Sequence, residues 1–202
     1  MRLLFSSFLL IYGLMHAYAF QRARAALQFD LRQGMLLVLF MVVMVLTPFI
    51  VRYSEREGLE MFARVMSYGG YLWMGTLLLF VSASFAVDVF RILLYLINSM
   101  TSVPIVTVSA KAAFFASLVF SIAAAGYGFF EARDIRLEHV VIRTSKLPAG
   151  MNKLKIVQVS DVHLGLIVRE ERLRKVVDRV KEAGPDLLVS TGDLVDGQIN
   201  RL

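Results

Sequence analysis

Apolar residues gather in four long stretches between residues 3 and 130: Leu3 to Phe20, Gly34 to Val51, Tyr71 to about Ile97, and about Ala112 to Phe130. Each approaches the roughly 20 residues that a rise of about 1.5 Å needs to cross a hydrocarbon core of about 30 Å. Arg-bearing polar segments separate the first three, and a turn around Asn98 to Pro104 separates the last pair. The pattern predicts an all-α membrane region of four transmembrane helices. With Arg2 and the triplet Ala17-Tyr18-Ala19, the first stretch also has the outline of a secretory signal with a small-residue cleavage site. If the N-terminus starts inside, the chain returns inside after the fourth helix. Eight basic residues near helix ends fall on that side (Arg2, Arg52, Arg56, Arg64, Arg133, Arg136, Arg143, Lys146) and five on the other (Arg22, Arg24, Arg32, Arg91, Lys111). This excess predicts a multi-pass protein of the cell inner membrane with a cytoplasmic C-terminal part.

Three polar or small-residue features lie within these stretches. Asp88 and Arg91, three apart on one helical face, read as a neutralised pair near the end of a long tilted helix, with Arg91 snorkelling; an ion or substrate pathway is the other reading. His16 is expected to face a neighbouring helix. Ala124 and Gly128, among Ala123, Ala125 and Gly126, predict a face for close helix packing. The paired, Gly/Pro-broken helices of a transporter core are not seen.

After Glu131 the pattern changes to short apolar runs. His139 to Ile142 reads as a strand, Leu147 to Gly150 as a turn and Leu154 to Ser160 as a buried strand. Leu173, Val176, Val177 and Val180 then mark one face of a helix, with Glu171 and Lys175 paired outside and Gly184-Pro185 as its stop. Asp186 to Thr191 is a second buried strand. A strand, a helix and a strand over this length predict a βαβ unit with parallel strands and a right-handed crossover.

Charge follows the same division. Residues 1–131 hold nine Lys/Arg and six Asp/Glu, and residues 132–202 hold thirteen and ten. The expected regions are therefore 1–131, transmembrane, and 132–202, polar. The overall charge of +6 comes from no concentrated basic arm, so nucleic acid is not implied as a partner. There is no cysteine, which excludes disulfides, thiolate metal sites and a cysteine nucleophile. Any metal must use carboxylate, imidazole or amide ligands.

Parallel strands of a βαβ unit end at one edge, and here they end in Ser160-Asp161-Val162-His163-Leu164-Gly165 and Thr191-Gly192-Asp193-Leu194-Val195-Asp196-Gly197. Asp161 and His163, two apart in extended chain, are expected to point to one side, with Asp193 arriving from the partner strand. Carboxylates this close repel unless a proton or a cation intervenes. A divalent ion of the Mn, Fe or Zn class suits mixed oxygen and imidazole donors. Gly192 is expected to let backbone approach the ion without a Cβ, and Gly165 to permit the turn out of the site. The plainer alternative is that both aspartates only cap helices and His163 is a surface imidazole. A Walker phosphate loop and a Rossmann fingerprint are both excluded, because neither GxxxxGK nor GxGxxG is present.

KIVQVSDVHLG followed by PDLLVSTGDLVDG resembles the opening half of the calcineurin-like metallophosphoesterases, with their DxH and GDxxD motifs, over about residues 136–198. It is most similar to the bacterial membrane-anchored branch that places four helices before the hydrolase. The resemblance implies the N-terminal βαβ part of an α/β four-layer sandwich and two divalent metal ions. Asp161 and His163 would ligate the first ion, Asp193 would bridge both, and Asp196 would support the site through hydrogen bonds. It also implies hydrolysis of phosphate mono- or diesters by a metal-bridged hydroxide. The family's GNH[DE] and GHxH motifs, which carry further ligands and the general acid, are not matched: the three histidines stand at 16, 139 and 163. The chain thus reads as truncated before them and catalytically incompetent alone, with no catalytic acid assigned. The expected partners are the lipid bilayer and a phosphate ester, membrane-associated in the sharper reading. The rival function is a non-catalytic membrane interaction protein with a vestigial hydrolase segment.

Overall fold

The computed structural model describes residues 2–101 and 108–196, which divide into two compact units, Met1–Phe130 and Glu131–Leu202. The first unit contains α1 (Arg2–Leu27), α2 (Leu31–Arg56), α3 (Glu60–Met100) and α4 (Ala110–Glu131). Asp30 starts α2 with a capping box. Its carboxylate accepts the Gln33 N–H at 2.8 Å, and the Gln33 side chain accepts the Asp30 N–H at 3.2 Å. Among the described residues α2, α3 and α4 are long and apolar enough to cross a membrane. The first helix is not in that set, so three of the four expected spans are present on this criterion.

The third helix is longer than expected. Its 41 residues extend about 60 Å, twice the hydrocarbon thickness, and begin at Glu60 rather than near Tyr71. The intervening segment is helical because Ala63, Ser67 and Gly70 form a buried small-residue stripe on it. At Gly70 a Cβ would lie 2.2 Å from Thr47 Cγ2, so only glycine permits this approach to α2. The turn expected over Asn98 to Pro104 begins later, since α3 continues through Met100, and residues 102–107 lie outside the described ones.

Tyr12, Ala19, Met41, Leu77 and Phe80 form the core shared by α1, α2 and α3. From α4, Phe114 meets Phe80 edge-on with ring centroids 5.5 Å apart. The buried face of α4 is Ala113, Ser117 and Ser121, whereas a Cβ at Gly126 or Gly128 would meet no atom within 4 Å. The packing stripe therefore lies two turns before the Gly/Ala run that was expected to supply it, where α4 reaches Phe80.

His16 faces a neighbouring helix, as expected. It is buried, its Nδ1–H donates to the Tyr12 carbonyl at 2.8 Å, and its Nε2 accepts from Trp73 Nε1 at 2.9 Å. Both ring nitrogens are satisfied by a neutral ring, which is how a polar group is accommodated in an apolar core. Asp88 departs from expectation. Its main partners come from α1: the Tyr18 hydroxyl donates to Oδ2 at 2.6 Å, and Arg22 pairs with the same oxygen. Arg91 reaches only to 4.0 Å. Asp88 thus ties two helices together, rather than forming a private pair within one.

The second unit contains β1 (Ile156–Val159), α5 (Glu170–Ala183) and β2 (Leu187–Ser190). The strands are parallel, with register Ile156↔Leu187 through Val159↔Ser190. Half-buried Leu173, Val176 and Val180 form the inner stripe of α5, and Glu171 and Lys175 pair on its outside at 3.6 Å. Gly184 ends it in the left-handed conformation at φ +56°, its N–H bonded to the Val180 and Lys181 carbonyls. Lys155 staples this end, donating Nζ–H to the Ala183 carbonyl at 2.7 Å while its backbone N–H meets Asp186 Oδ2 at 2.7 Å. His139 to Ile142 is not a strand: Val140, Val141 and Ile142 are about four-fifths exposed. A strand needs a partner for its backbone groups, and among the described residues β1 pairs with β2 alone. Ile156, Leu187 and Leu188 keep about half of their surface exposed. One βαβ unit does not enclose a core, and no second sheet is present among the described residues.

Candidate metal centre

The segments that leave β1 and β2 stay joined by backbone hydrogen bonds beyond the strands. Thr191 N–H donates to the Val159 carbonyl at 3.1 Å, Asp161 N–H to Gly192 at 3.2 Å, His163 N–H to Asp193 at 2.9 Å, and Leu164 N–H to Leu194 at 3.0 Å. Asp196 N–H returns to the Leu164 carbonyl at 2.9 Å. These bonds hold the loops that follow the two strands in fixed register.

Within that frame Asp161, His163 and Asp193 each place one donor atom so that all three lie within 4.8 Å of one another. Donors to one ion at about 2.1 Å lie roughly 3–4 Å apart, so this set needs only a small contraction to enclose a cation. The residues converge by a route other than the one expected. Asp161, His163 and Asp193 have φ of +55°, +51° and +46°, so neither segment is extended there. Left-handed backbone is uncommon for residues with a Cβ, though Asp and His adopt it more readily than most, and each instance costs about 1–3 kcal/mol. Three at one edge concentrate local strain where the three donors meet.

The two glycines exchange their expected roles. Gly192 has φ +125°, a conformation that favours glycine, and a Cβ there would meet no atom within 4 Å. Its requirement in the fold is conformational. Gly165 has no positive φ; instead a Cβ there would lie 2.9 Å from Asp196 Oδ2 and 3.1 Å from Asp196 Cβ. Its requirement is close approach, and what approaches is Asp196.

Asp196 accepts a hydrogen bond from His163 Nδ1 at 2.8 Å, which leaves Nε2 as the free donor atom, 4.0 Å from Asp161 Oδ1. A carboxylate on the far nitrogen of an imidazole fixes its tautomer and orientation. It also raises the His163 pKa above the ordinary 6.5, through that hydrogen bond first and then through the charges of Asp196, Asp193 and Asp161. Ser160, which sequence reasoning passed over, donates its hydroxyl to Asp161 Oδ2 at 2.5 Å and so orients the other candidate metal donor of that segment. Its only signal in the sequence is a hydroxyl next to the aspartate. His16 and His139 do not belong to this group of donors.

The geometry agrees with the comparisons. Residues 154–201 match the calcineurin-like phosphoesterase family. A metallophosphoesterase of Aquifex aeolicus is 42% identical over 76 residues, covering 38% of this chain and 29% of that protein. A transmembrane protein with metallophosphoesterase domain from Danio rerio is 38% identical over 87 residues, 43% of this chain and 20% of its own. The UDP-2,3-diacylglucosamine pyrophosphatase of Chlamydia muridarum is 35% identical over 65 residues, 32% of this chain and 20% of its own. The chain spans less than a third of the length of these relatives. No solved structure matches it. Over residues 154–201, where matched sequence and converging donors coincide, the chain is similar to the calcineurin-like metallophosphoesterases.

Proposed function

We propose that this chain is the membrane-anchored part of a phosphoric ester hydrolase whose metal centre begins with Asp161, His163 and Asp193. The observation that carries the reading is the convergence of these donors within 4.8 Å in a segment matching the family, with Asp196 holding His163 Nδ1 at 2.8 Å. The carboxylate and imidazole donors suit divalent ions of the Mn, Fe or Zn class, and Asp161, His163 and Asp193 would hold them, two ions being what the family resemblance implies. When bound, the ions would supply positive charge for the phosphoryl oxygens and lower the pKa of water. The residues of the chain perform the supporting work. Asp196 keeps the His163 proton on Nδ1, Ser160 holds Asp161, and the φ of Gly192 brings Asp193 to the edge. The substrate is a phosphate mono- or diester at the bilayer surface; that it is membrane-associated is supported by a relative named as a pyrophosphatase of a diacylated sugar nucleotide. All four helices, α1 included, anchor the enzyme in the inner membrane with the metal centre cytoplasmic.

The test is metal-dependent hydrolysis by the full polypeptide in lipid vesicles, against water-soluble and lipid-linked phosphate esters. Asp161→Asn and Asp193→Asn should each abolish Mn-dependent turnover. Unchanged activity in either variant refutes the assignment.

A further inference from the structure

Beside the turn between α1 and α2 runs a groove of about 500 Å³ lined by Phe20, Arg24, Phe29, Met35, Val38 and Val42 among others. Its wall is apolar along α2 and charged only at the turn, where Arg24 and Asp30 stand. The two charges differ in availability. Asp30 is engaged at the N-terminus of α2, its carboxylate accepting the Gln33 N–H at 2.8 Å. Arg24 is exposed and has no carboxylate, side-chain or ring partner among the described residues, whereas its neighbour Arg22 is paired with Asp88. The groove thus offers an uncommitted guanidinium at one end and an apolar trough at the other. From Leu31 to Val42 the trough follows α2 for about 16 Å.

We propose that this groove binds a membrane glycerophospholipid, its phosphate on Arg24 and one acyl chain along Met35, Val38 and Val42. Charge complementarity selects the headgroup. Guanidinium presents five N–H donors in a planar fork that suits phosphate oxygens, and Arg24 stands in the last turn of α1, which ends at Leu27. The apolar lining selects an acyl chain over a free anion. Gly34 belongs to the same wall, and a Cβ there would meet Phe29 at 3.3 Å, so its size keeps the Phe29 ring seated.

The inference rests on reading these helices as membrane-embedded, and the experiment separates the two. The full chain, purified in mild detergent, is titrated with phosphatidylglycerol, phosphatidylcholine, diacylglycerol or inorganic phosphate, and bound molecules are counted by native mass spectrometry. Both phospholipids are expected to remain bound, and diacylglycerol, lacking phosphate, to bind about tenfold more weakly. Inorganic phosphate is expected not to displace them. Arg24→Gln should remove the preference over diacylglycerol, Arg24→Lys should keep part of it, and Val38→Trp, which fills the trough, should weaken all lipids alike. Helical content by circular dichroism identifies a variant that fails to fold, for which Leu39→Trp is the substitute. Wild-type retention by both Arg24→Gln and the trough-filling variant, or displacement by inorganic phosphate, overturns the proposal. Release of the chain from vesicles by alkaline carbonate would instead overturn the membrane reading itself.

Discussion

Replacing Gly165 by alanine tests whether the Asp196–His163 contact is an element of the metal centre. The added Cβ would lie 2.9 Å from Asp196 Oδ2, 3.1 Å from its Cβ and 3.4 Å from its Cγ. The oxygen can rotate away, but Asp196 Cβ is fixed to a backbone whose N–H is bonded to the Leu164 carbonyl at 2.9 Å. Carbon atoms pack comfortably at about 3.5–4.0 Å, so Asp196 must retreat by about half an ångström. The hydrogen bond from His163 Nδ1, 2.8 Å long, would then stretch past the roughly 3.2 Å at which such bonds remain strong. Loss of an outer carboxylate from a ligating imidazole typically costs about 10–100-fold in metal affinity, and that is the loss expected for Gly165→Ala. Mn²⁺ binding by calorimetry measures it. Asp196→Asn should lose a similar factor, and the double variant should be little worse than either, because both changes remove one contact. Wild-type affinity in Gly165→Ala, or full additivity with Asp196→Asn, would refute the reasoning.

In the metal-free protein His163 should titrate above 6.5, and Asp196→Asn should return it toward that value in an NMR pH series. Because the folded value is raised, the associated stabilisation is present below the unfolded pKa and lost as pH rises through the folded one. Metal needs the neutral ring, so its binding should weaken as pH falls; an identical His163 titration in Asp196→Asn would exclude this account. In the helical unit, Gly70→Ala sets a Cβ 2.2 Å from Thr47 Cγ2 and should cost about 1–3 kcal/mol of stability in detergent. Thr47→Ala should recover part of that loss, and a Gly70→Ala protein that melts like wild type would show that the two helices do not meet there.

Local pattern carried much of this protein. The apolar stretches, the α5 stripe with its Gly184 stop, and two strands ending in Asp161, His163 and Asp193 are all periodicities or residue types within one segment, and the folded elements follow them. The family resemblance also pointed to Asp196, whose hydrogen bond with His163 Nδ1 the folded chain contains. What the pattern could not carry depends on residues distant in sequence or on backbone angles. Tyr18 meets Asp88 across 70 positions, and His16 meets Trp73 across 57, so no helical spacing records either pair. Alternation assumes an extended chain, and it therefore missed the left-handed backbone at Asp161, His163 and Asp193. Gly165 and Gly192 look alike in the sequence, yet one yields space to Asp196, 31 residues on, and the other adopts φ +125°. His139 to Ile142 has the residues of a strand but not the partner. Sequence by itself determined which groups could form the site and that α2, α3 and α4 are apolar enough to enter a bilayer; tertiary structure decided which atoms face one another, because contact and backbone angle are properties of the folded chain and not of its local order.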